Sequence, residues 1–403
     1  MWLSRWTPTG TMLLVSLISY IDRNTLALLA PTILRETQLS GTQYGFIVSA
    51  FSVAYMIGNP TWGRALDRFG LRPGMMAAVA LWTLASASHA LAAGFLGFAA
   101  ARAALGFGEG ATFPGGLRTV MQTLQPSQYA RGIAVAYSGG SLGAIITPIL
   151  ITPIALWWGW RAAFLFTGLI GAAWITLWLF VSRRPDVRAQ RPAHAEADKA
   201  RPHFRDPRLW SFMLAYALCA LPIGFVIYGA AIFLDQELGK SQAEIGKVLW
   251  LPPLGWEIGY FFWGALADRM CRAARDPLRP LRRLMTAATL LSLPLALTPR
   301  LESFPLVMLE LFLAMFVAGG FIILAMAYAT HVYPSSHAGL IAGLGAGAWS
   351  AGVAVSMPVF GRLFDLGRWD AAFLLAAALP VAGYAIWLGI NRGSARGGDF
   401  PRS

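Results

Sequence analysis

Twelve mainly apolar stretches, each about 20 residues long, recur along this chain, and they constrain its fold more than any other feature. A bilayer core about 30 Å thick is crossed by a helix of that length, with every backbone polar group satisfied inside the segment. The stretches run over 9–32, 44–64, 73–92, 95–117, 131–155, 162–182, 209–234, 244–266, 283–299, 303–330, 337–361 and 371–391. Composition agrees: 57% of the 403 residues are hydrophobic and 13% charged, with a mean hydropathy of +0.56, which excludes an ordinary soluble domain. The first stretch contains Asp22 and Arg23 and lacks a cleavage-type end, so it reads as an uncleaved first span.

The net charge of +13 needs placing before it suggests a partner. With both termini in the cytoplasm, 23 of the 32 basic residues fall in cytoplasmic segments and seven outside, while Arg23 and Arg102 lie within spans. That asymmetry is the positive-inside pattern. No aromatic-studded basic groove accompanies it, so no nucleic-acid partner is expected. Cys219 and Cys271 offer neither a disulfide framework nor a metal-ligand spacing. No phosphate-cradling Walker sequence occurs, which argues against direct ATP coupling. No cofactor or metal is expected, and the bilayer is the expected surrounding of a monomer.

Residues 183–208 interrupt the apolar pattern with Arg, Pro, Ala and acidic residues and divide the spans six and six. They read as a flexible cytoplasmic linker between bundles 1–182 and 209–403. The halves echo each other. Trp62-Gly63-Arg64-Ala65-Leu66-Asp67-Arg68 returns 201 residues later as Trp263-Gly264-Ala265-Leu266-Ala267-Asp268-Arg269, and Trp160-Arg161-Ala162-Ala163-Phe164-Leu165 returns 209 later from Trp369 to Leu374. Pro126-Ser127 likewise matches Pro334-Ser335. Six spans per offset is an even number, so the halves are parallel repeats about an axis along the membrane normal. The expected fold is an all-α membrane protein of twelve transmembrane helices in two six-helix parallel pseudo-repeats.

The run Gly63, Asp67, Arg68, Gly70 and Arg72 after the second span resembles the signature loop of the major facilitator superfamily, and its echo at Asp268 and Arg269 strengthens the match. In such a loop Asp67 is placed to accept hydrogen bonds at a neighbouring helix N-terminus, while Arg68 and Arg72 hold the cytoplasmic surface, so that it gates one conformation.

Asp22, Arg23, Arg102, Glu109 and Glu257 lie well inside spans, where an ionised group costs a few kcal/mol or more unless it meets a partner or a cavity. Arg102 and Glu109 are seven residues apart, two helical turns, on one face of span four. A fixed cation at mid-depth attracts a carboxylate, and a desolvated acid there is suited to binding and releasing protons. The alternative for each is a structural ion pair joining helices.

The runs Tyr20-Ile21-Asp22-Arg23-Asn24-Thr25 on span one and Arg102 to Pro114 on span four resemble the anion:cation symporter family, which includes hexuronate and galactonate transporters. Gly139 to Gly143 with Pro148 on span five, and Trp160 to Phe164, extend the likeness over most of the first half. The resemblance implies that Arg23 contacts a substrate carboxylate with Tyr20 nearby, that Asp22 and Glu109 carry coupling protons, and that Arg102 tunes Glu109. Glu257 is a third candidate titrating group, and Tyr228 and Trp349 are candidate cavity-lining residues. Where sugar-acid members place amides on spans five and eleven, this chain has Gly140 and Gly347, which argues against a heavily hydroxylated substrate. His89, His331 and His337 at span ends read as solvated, and Trp157, Trp158 and Trp160 as an interfacial belt.

The function expected is secondary active, proton-coupled symport of a small organic anion by alternating access, in a bacterial inner membrane. An efflux antiporter of the same superfamily is the first rival, although Gly143 is followed by Ala144 where efflux members show Gly-Pro. A receptor or intramembrane enzyme would bring a sensory domain or a nucleophile-base-metal set, and neither is visible.

Overall fold

The computed structural model describes residues 3–188, 202–272, 274, 276, 278–334 and 337–391. Arg191, Lys199 and Arg201 of the linker, Arg275, Ser335 and the tail residues Arg392, Arg396 and Arg402 lie outside the described residues.

Described secondary structure is helical, and apart from the short helix Pro185–Arg188 in the linker the helices fall into rods at the twelve expected positions. Span one (Leu3–Thr37), span two (Gly41–Phe69), span six (Trp160–Val181), span ten (Phe304–Val332), span eleven (Ala338–Asp365) and span twelve (Trp369–Asn391) are each one helix. Span three is Leu71–Ser88 with a short 3₁₀ turn, His89–Leu91. The others are broken. Span four is Phe95–Glu109 and Thr112–Thr123, span five Tyr129–Tyr137 and Gly139–Trp158, span seven Pro207–Cys219 and Leu221–Gln236, and span eight Gln242–Val248 and Leu251–Arg272. Span nine is Leu278–Ser292 followed by the 3₁₀ segment Leu293–Arg300. Among the described residues eight helices are long and apolar enough to cross a bilayer by themselves. Spans two, four, eight and nine fall short, in part because span four carries Arg102 and Glu109 and breaks at Gly110, and span nine ends in the 3₁₀ segment Leu293–Arg300.

Packing divides the chain into two compact units. The first comprises the described residues of Met1–Ala195, Ala230–Trp250 and Ala354–Arg362, and the second those of Glu196–Gly229, Leu251–Val353 and Leu363–Ser403. In the first unit, backbones approach closely where glycine removes the side chain: a β-carbon on Gly58 would run into the Phe107 carbonyl, and one on Gly106 into that of Phe51. These contacts fasten span two to span four. The core beside them holds Val79, Trp82, Leu105, Val120, Trp174 and Trp178. The stretches 230–250 and 354–362 join this unit through polar ties. Arg35 Nη1 donates to Asp235 Oδ1 at 2.8 Å, Thr32 Oγ1 to Gln242 Oε1 at 3.0 Å, Gln242 Nε2 to the Leu28 carbonyl at 3.0 Å, and Ser49 Oγ to the Ala354 carbonyl at 2.6 Å.

The second unit repeats the arrangement. A β-carbon on Gly259 would run into the Phe316 carbonyl, as one on Gly58 would into Phe107, and Trp263 lies 6.0 Å from Phe316 as Trp62 lies 5.8 Å from Phe107. The echo in the sequence is therefore an echo in packing.

Candidate functional site

Span one runs unbroken through Tyr20, Asp22 and Arg23, so successive side chains leave it about 100° apart and reach different neighbours. Arg23 turns towards spans two and four. Its Nη2 donates to Glu109 Oε2 at 2.9 Å, with the side chains 4% and 0% exposed. Three rings surround the guanidinium: its carbon lies 4.5 Å from the ring centre of Tyr20, 4.7 Å from that of Phe51 and 4.9 Å from that of Tyr55. All are within cation–π range, about 6 Å. Arg102 Nη2 donates to the Arg23 carbonyl at 3.2 Å and so ties span four to span one at the same level. Both Glu109 Oε1 and Asp22 Oδ2 are buried without a hydrogen-bond partner.

Asp22 points elsewhere. Its Oδ1 lies 2.7 Å from Ser86 Oγ on span three, and Ser86 Oγ lies 2.7 Å from Thr167 Oγ1 on span six. The carboxyl is 1% exposed. The structure thus brings Tyr20, Arg23, Arg102 and Glu109 together, while Asp22 turns to spans three and six.

Local sequence explains the arrangement. Gly139, Gly140 and Gly143 of span five let span one lie against it, and a β-carbon on Gly140 would stand 3.1 Å from the Tyr20 ring. The ring occupies the room that an amide at position 140 would need. Span four breaks immediately after Glu109, where Gly110 abuts Gly58 of span two.

Tyr228, Glu257 and Trp349 belong to the second unit. Tyr228 is buried, Glu257 half-buried, and Trp349 Nε1 donates to the Ala220 carbonyl at 3.1 Å, at the break of span seven. In the signature loop, Asp67 pairs with Arg118 on span four, in place of the helix N-terminus expected for it. Gly70 adopts φ 92°, a conformation that favours glycine and caps span two, and the Arg72 carbonyl accepts from Trp178 Nε1 at 3.3 Å. Arg68 lies exposed against its neighbour Phe69, and a β-carbon on Gly63 would meet Pro114 at van der Waals distance. The echo is looser: exposed Asp268 meets Arg272 one turn along its own helix at 3.9 Å, and Arg269 is exposed.

Two readings of span ends are corrected. His89 is fully buried rather than solvated, stacked on Phe164 at 4.8 Å with Nδ1 2.8 Å from the Ala85 carbonyl, because the 3₁₀ turn folds it back against span six. His337 is also buried, while His331 is exposed. Trp157 and Trp158 are exposed as a belt requires, but Trp160 is buried and donates from Nε1 to Glu36 Oε2 at 2.6 Å. Sequence reasoning missed Phe51 and Tyr55, whose spacing with Gly58 marks one face of span two, and Ser86, Thr167 and Arg118.

A helical chain of apolar spans with a buried, caged ion pair defines a multi-pass membrane transporter. The sequence pattern of the Major Facilitator Superfamily matches residues 12–316, and the chain belongs to that family, with the twelve helices the family implies. It is a transporter and not an enzyme. A galacturonate transporter of Dickeya chrysanthemi is 28% identical over 279 residues, 64% of this chain and 80% of that protein. A probable sulfoacetate transporter of Cupriavidus necator is 26% identical over 405 residues, 95% of this chain and 93% of that protein. Across the first three curated relatives the match spans 65% to 80% of their own length. Among solved structures, a bacterial homologue of the human lysosomal transporter Spinster, inward-facing and occupied, superposes with a TM-score of 0.77 over 95% of this chain and 96% of that one, at 17% identity.

Proposed function

We propose that this transporter carries a small organic carboxylate together with protons, by alternating access between bundles 1–182 and 209–403 joined by the linker 183–208. Arg23 is the anion's seat, and Tyr20 and Arg102 assist it. The observation that carries the reading is the caged Arg23–Glu109 pair, 2.9 Å long and fully enclosed. A buried arginine with a carboxylate already in place accepts a second carboxylate only when the first gives up its charge, because two anions on one desolvated cation repel. Protonation of Glu109 therefore releases Arg23 to the substrate, which is the logic of symport. Asp22 is the second proton carrier. Glu257, Tyr228 and Trp349 are the second bundle's candidate contributions. The loop from Gly63 to Arg72, with Asp67 held by Arg118, and its echo at Asp268 and Arg269 gate the conformational change.

The relatives' names supply the probes: galacturonate, a hydroxylated sugar acid, and sulfoacetate, a compact dianion. With the Tyr20 ring against Gly140 and no amide in that place, the compact anion fits this site better. The excess of basic residues on one side supports a topology with both termini in the cytoplasm, and the setting proposed is a bacterial inner membrane. The test is uptake into proteoliposomes. An inward pH gradient drives accumulation of labelled sulfoacetate above its external concentration, and collapsing the gradient with a protonophore abolishes it. Equal uptake with and without the gradient, for every carboxylate tried, would refute coupling.

A further inference from the structure

The hydroxyl chain behind Asp22 holds more information than its distances. We propose that in this conformation Asp22 is the neutral acid, with its proton on Oδ1 aimed at Ser86, and that Ser86 and Thr167 are positioning residues that hold it so through a one-directional chain ending on the Phe164 carbonyl. The inference rests on the reading of Asp22 as a proton carrier.

The argument is a hydrogen count. Four oxygens stand in line: Asp22 Oδ1 to Ser86 Oγ at 2.7 Å, Ser86 Oγ to Thr167 Oγ1 at 2.7 Å, and Thr167 Oγ1 to the Phe164 carbonyl at 3.0 Å. Each of these three contacts needs one hydrogen, and each hydroxyl owns one. With Asp22 ionised, Ser86 must donate to the carboxylate. Thr167 then has a single hydrogen for both Ser86 and Phe164, and one contact at hydrogen-bond length pairs two bare oxygens. With Asp22 protonated there are three hydrogens for three contacts, running from Asp22 to Ser86, to Thr167, to Phe164.

The second observation is Asp22 Oδ2, buried without a partner. A neutral carboxyl leaves its carbonyl oxygen dry at far lower cost than an ionised carboxylate leaves half its charge dry. The groups around Asp22 are Arg102 and, beyond it, Glu109 from span four, His89 one turn from Ser86 on span three, Thr167 from span six, and Arg23 next along span one. Arg102 favours the anion, yet its Nη2 is engaged with the Arg23 carbonyl. The His89 Nδ1 faces the Ala85 and Ser86 carbonyls and so bears a proton directed at backbone, outside the chain. Asp22 accordingly releases its proton when spans one, three and six separate these oxygens, which links the proton to helix packing.

The experiment is infrared difference spectroscopy on the full-length transporter in lipid at neutral pH, with uptake measured against pH. The wild type shows a protonated-carboxyl C=O band that Asp22→Asn lacks. Ser86→Ala moves the band to higher frequency, because the acid loses its acceptor. Thr167→Val lowers the uptake midpoint, because Ser86 is then freed to donate to Asp22. The hydroxyl-keeping Ser86→Thr and Thr167→Ser restore the wild-type band, which separates the effect from damaged packing. Absence of an Asp22-dependent band, or a band left unmoved by Ser86→Ala, overturns the proposal. If Asp22→Asn still accumulates substrate under a pH gradient, the proton-carrier reading fails, and the band alone decides the state of Asp22.

Discussion

Arg23 and Glu109 show how much one enclosed pair demands of its surroundings. Each charge is removed from water, and the mutual attraction offsets that cost only because geometry is close and aromatic faces take the place of solvent around the guanidinium. Breaking the pair from one side is therefore worse than removing it. Arg23→Ala leaves a buried carboxylate unpaired and should cost about 3–5 kcal/mol, read as a fall in thermal unfolding temperature in detergent. The double variant Arg23→Met with Glu109→Leu should recover most of that stability without recovering transport. A double variant that transports would show the pair to be a structural fastening only. At this scale the sequence was partly legible. Five ionisable residues inside apolar runs announced themselves by their expense, but the side each one faces did not. Asp22 and Arg23 are adjacent in sequence and part ways in space because of the helical turn between them. Ser86 and Thr167 were invisible because a hydroxyl on an apolar helix ordinarily satisfies itself on its own backbone, as Thr147 does on Gly143 at 2.7 Å.

At the scale of elements, hydropathy located every rod, since a helix in lipid is required to be long and apolar. The breaks in spans four, five, seven and eight escaped notice, because a single turn of altered hydrogen bonding changes composition hardly at all. Where a helix end is marked by chemistry, the marking can be tested. Asp206 caps span seven, accepting from the Arg208 backbone N–H at 2.9 Å and side chain at 3.1 Å, and from the Tyr333 hydroxyl at 2.9 Å. Partial burial pushes its carboxyl up, but the bonds from Arg208 and Tyr333 outweigh this and hold it below the usual carboxylate range. A carboxyl held low contributes stability above its ordinary value, about 4, and loses it as the pH falls through the lowered value. Asp206→Ala should thus cost about 1 kcal/mol at neutral pH. The difference from wild type should vanish in acid, when unfolding curves are compared across pH. A difference that persists unchanged in acid would assign the effect to packing.

Over the whole molecule, the internal repeat carries the architecture and the chemistry departs from it. Gly58 with Phe107 and Gly259 with Phe316 make the same helix contact in the two units. By that register Arg102 and Glu109 correspond to Leu311 and Ala318, both buried and uncharged. The duplicated sequence signalled the fold because packing constraints apply equally to both halves. It could not assign the site by symmetry, because Leu311 and Ala318 carry no charge where the first unit has Arg102 and Glu109. The proposed proton carrier Glu109 therefore has no counterpart at Ala318, and it is the residue to test. Proteoliposomes loaded with a pH-sensitive dye and held without an imposed gradient are given an inward concentration step of sulfoacetate. The wild type should acidify the lumen as the anion enters, whereas Glu109→Gln, if it moves the anion at all, should acidify it less per anion carried, through Asp22 alone. Anion entry by the wild type without acidification, or equal acidification by Glu109→Gln, would contradict the account.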